Sequence, residues 1–273
     1  HRDLHSFPTR RSSDLNSNDV ATSVAIQADG KIVVAGFNTN LANVLTARYL
    51  SNGSLDSTFD GDGRVATGII GGHPGGANAV GIQADGKIIL AAFGRSNSAS
   101  NQNIVMYRLS SNGGLEAIVE TDILNGTESP RSIALQSDGK ILIASNGLED
   151  TNQDFAVLRF NSDLTLDGTF SGDGMAFLDF GAGDDFANSL AVQTDGKIVV
   201  TGSASNRLNT DIGIMRLNSD GTPDTTFSGD GRLAVAAGTG NDAGNSVKIQ
   251  PDGKIIVGGF ATNTNRDLVT LRV

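Results

Sequence analysis

Arginine closes an apolar stretch at five places: Arg48, Arg108, Arg159, Arg216 and Arg272. An acid stands eight residues after each of the first four, as Asp56, Glu116, Asp167 and Asp224. A cation within an apolar strand needs a counter-charge, because an unpaired buried charge is costly. The spacing therefore predicts internal ion pairs that latch a strand to the loop after it; a ring of anion-binding arginines is the functional alternative. In three of the loops a Thr-Phe pair precedes a Gly-Asp-Gly, and Phe59, Phe170 and Phe227 read as buried plugs. The same loops hold Asp60, Asp62, Asp173 and Asp230. With the latch acids they invite calcium, which takes six to eight oxygens. The third Asp and closing Glu of an EF-hand do not follow, and Asp-Gly is also ordinary turn chemistry.

A second series lies eleven residues ahead of a recurring glycine: Asp19, Gly75, Glu128, Asp185 and Asp242, with Thr22, Asn78, Arg131, Asn188 and Asn245 three positions further on. If the segment that follows lines a central channel, these residues ring its mouth. The candidate ligand set is then Asp19, Asn78, Glu128, Arg131, Asp185, Asn188, Asp242 and Asn245, suited to a cation or to a polyol such as a sugar. The plainer reading is that they cap turns. Catalysis has little support. There is no cysteine, and His73 is the only histidine beyond the first fifteen residues, so a His/Cys metal cluster or a Ser-His-Asp site lacks its parts. Phosphate-loop and dinucleotide glycine motifs are also missing. The expectation is a non-enzymatic protein with no cofactor unless calcium.

The elements that position these residues come from an internal repeat. The phrase Q-x-D-G-K-I occurs five times, with its glycines at Gly30, Gly86, Gly139, Gly196 and Gly253. Each copy reads as four short strands, clearest in the fourth: 189–193, a two-residue Asp195-Gly196 turn of type I′, 197–202, 212–217 and 232–237. The second strand is a continuous apolar run, as a strand buried on both faces should be. Four-stranded meanders repeated at this period predict an all-β fold, a β-propeller of tandem antiparallel blades, five copies visible and the last incomplete. Blades fall near 16–72, 73–125, 126–182, 183–239 and 240–273. Copy two has GGLEAIVETDI in place of the Phe and Gly-Asp-Gly, so its third loop and fourth strand are expected to be irregular. Copy five reaches Val273 just after Arg272, so ring closure does not follow from the sequence. Residues 1–15, HRDLHSFPTRRSSDL, resemble a translated sequencing adapter and are set aside as a disordered, non-native tail.

The remaining chain has 17 basic and 28 acidic residues, a net charge of −11. That balance disfavours nucleic acid and anionic membranes as partners. No apolar run is long enough to span a membrane as a helix. Glycine, at 35 residues against five prolines, fits many tight turns.

Three motifs in order, NSxALQxDGKIVVAG, the strand ending in arginine, and GSLDTTFxGDG, resemble the bacterial delta-60 repeat, a β-propeller family. The resemblance covers 16–273. It implies a propeller, in large exported bacterial proteins found outside the cell or at its surface, and implies no established activity. The leading expectation is an extracellular scaffold or binding propeller whose partner is a carbohydrate or a protein at the cell surface. The alternatives are a calcium-dependent hydrolase of the propeller-lactonase type and a carbohydrate-binding surface module.

Overall fold

A computed structural model describes residues 19–38, 43–68, 75–94, 102–123, 127–149, 152–181 and 183–273. The tail 1–15 and His73 lie outside them. The described residues form five antiparallel sheets and no helix. The first is β1 (Asp19–Ile26), β2 (Ile32–Asn38), β3 (Asn43–Tyr49) and β4 (Arg64–Gly68). The second is β5 (Gly76–Ile82), β6 (Ile88–Gly94), β7 (Asn103–Leu109) and β8 (Leu115–Thr121). The third is β9 (Ser132–Leu135), β10 (Ile141–Glu149), β11 (Asn152–Phe160) and β12 (Met175–Leu178). The fourth is β13 (Phe186–Val192), β14 (Ile198–Ser205), β15 (Thr210–Leu217) and β16 (Arg232–Val235). The fifth holds β17 (Ala243–Ile249), β18 (Ile255–Thr262) and β19 (Arg266–Arg272). Within every sheet the strands pair in chain order, as a meander.

The core is divided among the junctions between consecutive sheets. Successive side chains of a strand point to opposite faces. Ile88, Leu90 and Ala92 accordingly join the cluster shared with the first sheet, while Ile89 and Ala91 join the one shared with the third. This two-sided burial explains the unbroken apolar runs of the middle strands. Consecutive sheets also touch through their first strands, β1 on β5, β5 on β9, β9 on β13 and β13 on β17; among the described residues no comparable contact joins β17 or β18 to β1. The outer faces of the end sheets stay open: Val24 is 62% exposed, Ile26 71% and Leu268 88%.

Three local features differ from the sequence reading. The Gln-x-Asp-Gly-Lys hairpin is not a two-residue type I′ turn. Gln193 N donates to Lys197 O at 2.8 Å and Gly196 N to Gln193 O at 2.9 Å. Only Gly196, at φ +85°, is left-handed; Asp195 is not. This is a three-residue loop with a glycine bulge, the next commonest hairpin geometry. Asp195 stabilises it by accepting Lys197 N on its carboxylate. Secondly, the fourth strand of copy two is a full strand whose irregularity is confined to a single bulge. β8 is a seven-residue strand, longer than β4, β12 or β16. Without the Phe loop, Ser110–Gly114 makes a tight hairpin and the chain returns at once, with one register shift beside Arg108. Thirdly, β1, β5, β13 and β17 each carry a bulge, at Thr22, Asn78, Asn188 and Asn245.

Candidate functional site

The arginines come first because they hold the frame. Nε of Arg48, Arg108, Arg159 and Arg216 donates to Asp56, Glu116, Asp167 and Asp224 at 2.8, 3.1, 2.6 and 2.6 Å. The lysine of the hairpin in the same copy, Lys31, Lys87, Lys140 or Lys197, meets the same carboxylate. Thr58, Thr169 and Thr226 give their hydroxyls to the other oxygen of the three aspartates. Phe59, Phe170 and Phe227 lie under the guanidinium groups at 4.6 Å, a cation–π stack. The Nη1 groups of Arg48, Arg108 and Arg159 cross to the next sheet and donate to the carbonyls of Ser111, Ser162 and Ser219. These donors are engaged by the protein itself. The Thr58 hydroxyl and amide, with Lys31 and Arg48, hold the Asp56 carboxyl far below its ordinary range. Burial opposes this for Asp167 and Asp224, yet Lys140 and Lys197, with Thr169, Thr226 and the arginines, hold those two far below as well.

Three of the four acids in the Gly-Asp-Gly loops turn inward on their own backbone. Asp62, Asp173 and Asp230 each spend an oxygen on the amide two residues on, at Arg64, Met175 and Arg232. Asp60 sits at φ +50° with its N–H on the Asn112 carbonyl. Among the described residues, none of the four belongs to a cluster of three carboxylates.

The channel-mouth series divides. Glu128, Asp185 and Asp242 are fully buried. Asp185 accepts the amides of Phe180 and Ser205 at 2.8 and 2.7 Å. Asp242 accepts those of Ala237, Gly238 and Thr262. Both tie the turn entering a sheet to the end of that sheet's second strand. The bulged residues form a second set of clasps: Thr22 donates to Ala77 O at 2.6 Å, Asn78 to Ser129 Oγ at 3.5 Å and Asn188 to Gly244 O at 3.0 Å. Asp19, which accepts from Asn38, is exposed, as are Arg131 and Asn245.

One member of the series has acidic company that the sequence reading missed. Carboxylate oxygens of Asp154, Asp179 and Asp185 lie within 4.8 Å of one another. Asp154 is the third residue of β11, Asp179 follows β12, and Asp185 precedes β13, so the junction of the third and fourth sheets assembles them. Asp154 and Asp185 are buried and Asp179 is exposed. Burial pushes the Asp185 carboxyl above its ordinary value, with the charges of Asp179 and Asp184 adding to it, against the two amide bonds that lower it. Carboxylates this close favour a shared proton or a cation. Asp179 stands nine residues after Phe170, where the first and fourth copies have Gly68 and Ala236. That departure from the repeat was the available signal.

Fold and site together define an all-β propeller of tandem meander sheets with an acidic cluster on the face where sheets are entered. The chain belongs to a β-propeller family described as a domain of unknown function, DUF5122, which it matches at residues 27–59, 83–117, 136–170, 193–227 and 250–273. No curated protein matches the chain. Among solved structures, an endo-arabinase from Bacteroides thetaiotaomicron is similar at a TM-score of 0.53 and 13% identity, covering 94% of each chain. A thermostable family-43 glycoside hydrolase gives 0.51 and 13%, over 94% of this chain and 90% of that one. A polysaccharide lyase, an ulvan lyase of family PL25, gives 0.51 and 10%, over 93% and 64%. Identities this low carry the fold alone. The expectation of a non-enzymatic scaffold is corrected to this extent: glycoside hydrolases and a polysaccharide lyase have this architecture, so the fold gives no ground for excluding an enzyme.

Proposed function

We propose that the protein is a carbohydrate-active propeller that engages a polysaccharide on the face bearing Asp154, Asp179 and Asp185. The observation that carries the reading is this cluster: an exposed carboxylate, Asp179, beside a carboxyl that burial pushes towards its protonated form. Neighbouring acids whose environments separate their proton affinities are the usual arrangement for acid–base work on a glycosidic bond. The solved chains of like fold, which include an endo-arabinase and an ulvan lyase, support the substrate class. Export to the cell surface, where such polymers are met, belongs to the same reading, as does the narrower kinship with delta-60 repeats. The test is reducing-end release from arabinan, β-1,3-galactan and ulvan, with absorbance at 235 nm to detect lyase products. Cleavage by the wild type that Asp179→Asn reduces at least tenfold is expected; turnover equal in both variants would remove the cluster from the chemistry.

The cluster favours one further reading, a bound cation, since three carboxylate oxygens supply part of a calcium shell. Calcium should then raise the melting temperature of the wild type and leave that of Asp179→Asn unchanged.

A further inference from the structure

The loop between β14 and β15 is a fixed tip on the face that bears the acids. Four residues, 206–209, join Ser205 to Thr210, which pair across the ladder. Asn206 N donates to Asn209 O at 3.0 Å, and Asn206 Oδ1 accepts Leu208 N and Asn209 N at 3.0 and 2.9 Å. Asn206 Nδ2 donates to Asp211 Oδ2 at 3.0 Å. Both feet of the tip are tied to turns that enter a sheet. On one side Asp185 accepts Ser205 N at 2.7 Å, and a Cβ on Gly183 would stand 2.8 Å from Ser205 Oγ. On the other, Asn209 Nδ2 donates to Thr239 O and Thr210 N to Asn241 Oδ1, both at 3.1 Å.

This network presents Arg207 and Leu208 to the outside. Both are exposed, and Leu208, at 95%, is the most exposed large apolar side chain among the described residues. Arg207 stands at φ +75°, a backbone region that glycine occupies freely and other residues only with strain. The loop thus holds an arginine where glycine would fit better. Among the described residues no acid pairs with its guanidinium. Arg207 is two residues from Ser205, a span of at most about 7 Å. The tip therefore begins beside the Asp185 carboxylate, with a free cation and an aliphatic surface next to the acids.

We infer that Arg207 and Leu208 form a wall of the carbohydrate site and that its occupant is a neutral polysaccharide, an assignment that rests on the polysaccharide reading of the acid cluster. A neutral sugar polymer offers what the tip can hold. Its hydroxyl oxygens accept from the five N–H donors of the guanidinium, and its C–H faces cover the Leu208 side chain. The excess of acids over bases along the chain, with Asp179 and Asp184 beside Asp185, repels a polyanion.

The test is calorimetric titration of arabinan, β-1,3-galactan and the polyanion ulvan into the wild type, Arg207→Gly and Leu208→Ser. At least one neutral polymer should bind the wild type about tenfold or more tightly than ulvan does. Arg207→Gly should weaken that binding about fivefold or more, yet melt no lower than the wild type, because glycine relieves the left-handed position. Leu208→Ser should weaken it about threefold or more. The exposed Leu208 side chain can be removed without disturbing the fold, which keeps the test decisive if glycine loosens the tip. Neutral-polymer binding that both variants leave intact would overturn the wall and leave the polysaccharide reading standing. Ulvan as the tightest ligand would overturn the neutral class. No binding of any polymer by the wild type would end both readings.

Discussion

At the scale of single residues, Arg48 and Arg159 each do three jobs. Each neutralises a buried acid, caps a phenylalanine and reaches across to the next sheet. Phe170 is fully buried against the fourth sheet. Phe170→Ala should therefore cost about 3–5 kcal/mol in a denaturant melt. Arg159→Met should cost about 1.5–3 kcal/mol, the worth of its charged hydrogen bonds, because Lys140 still meets Asp167 at 2.7 Å. A loss below 1 kcal/mol for either would show that the junction does not depend on it. The acids also set a pH dependence. Asp167 and Asp224 are held below their unfolded value of 3.8, so the stability they contribute is complete above about pH 4 and is lost as pH falls further. Asp185 has the opposite sign: its raised value costs stability above that value and relaxes on acidification. A melting-temperature series from pH 7 to 3 should drop below pH 4 in the wild type and less steeply in Asp167→Asn. The ion pairs were legible in the sequence because each acid is eight residues from its arginine. The serine carbonyl sits about 60 residues away, in another copy, where spacing carries no signal.

At the scale of elements, the four-strand copy was readable from apolar runs and turn residues, while its fine geometry was not. Sequence places an Asp-Gly turn correctly, but loop length depends on which residue's carbonyl takes the glutamine amide, here that of the lysine. Likewise the bulges were hidden, because a polar residue in a strand reads equally well as a channel-lining group. The structure makes Asn188 a clasp to Gly244 and brings Gly202 so near the Phe186 carbonyl that a Cβ would stand 1.9 Å from it. Gly202→Ala must displace β13 from β14 and should destabilise by about 1–3 kcal/mol. An unchanged unfolding midpoint would mean that the bulge is free to open. Copy two teaches the complementary lesson: losing the Phe loop shortened the connection and lengthened β8. Missing motifs removed an excursion and left the strand intact.

At the scale of the whole molecule, repeated residues mostly hold sheets together and function is sought where the repeat breaks. Asp179 is such a break; it lies beside Asp154 at the end of the β11–β12 ladder of one sheet and meets Asp185 where the next sheet is entered. The propeller was legible from five near-equal copies; the cluster was not, since Asp154 and Asp185 both fall in recurring positions, with Asp211 and Asp267 matching Asp154, and only Asp179 breaks the repeat. The expectation of a non-enzymatic protein weighed the recurrent acids, found them structural, and had no view of the acid beside them; the enzymes of like fold are what overturn it. The most direct test is calorimetric titration of arabinan, β-1,3-galactan and ulvan into the wild type and into Asp179→Asn of matched melting temperature. At least one polymer should bind the wild type, with affinity at least tenfold weaker for the variant. Identical heats for the two proteins, or no heat with any polymer, would contradict a carbohydrate site at this junction.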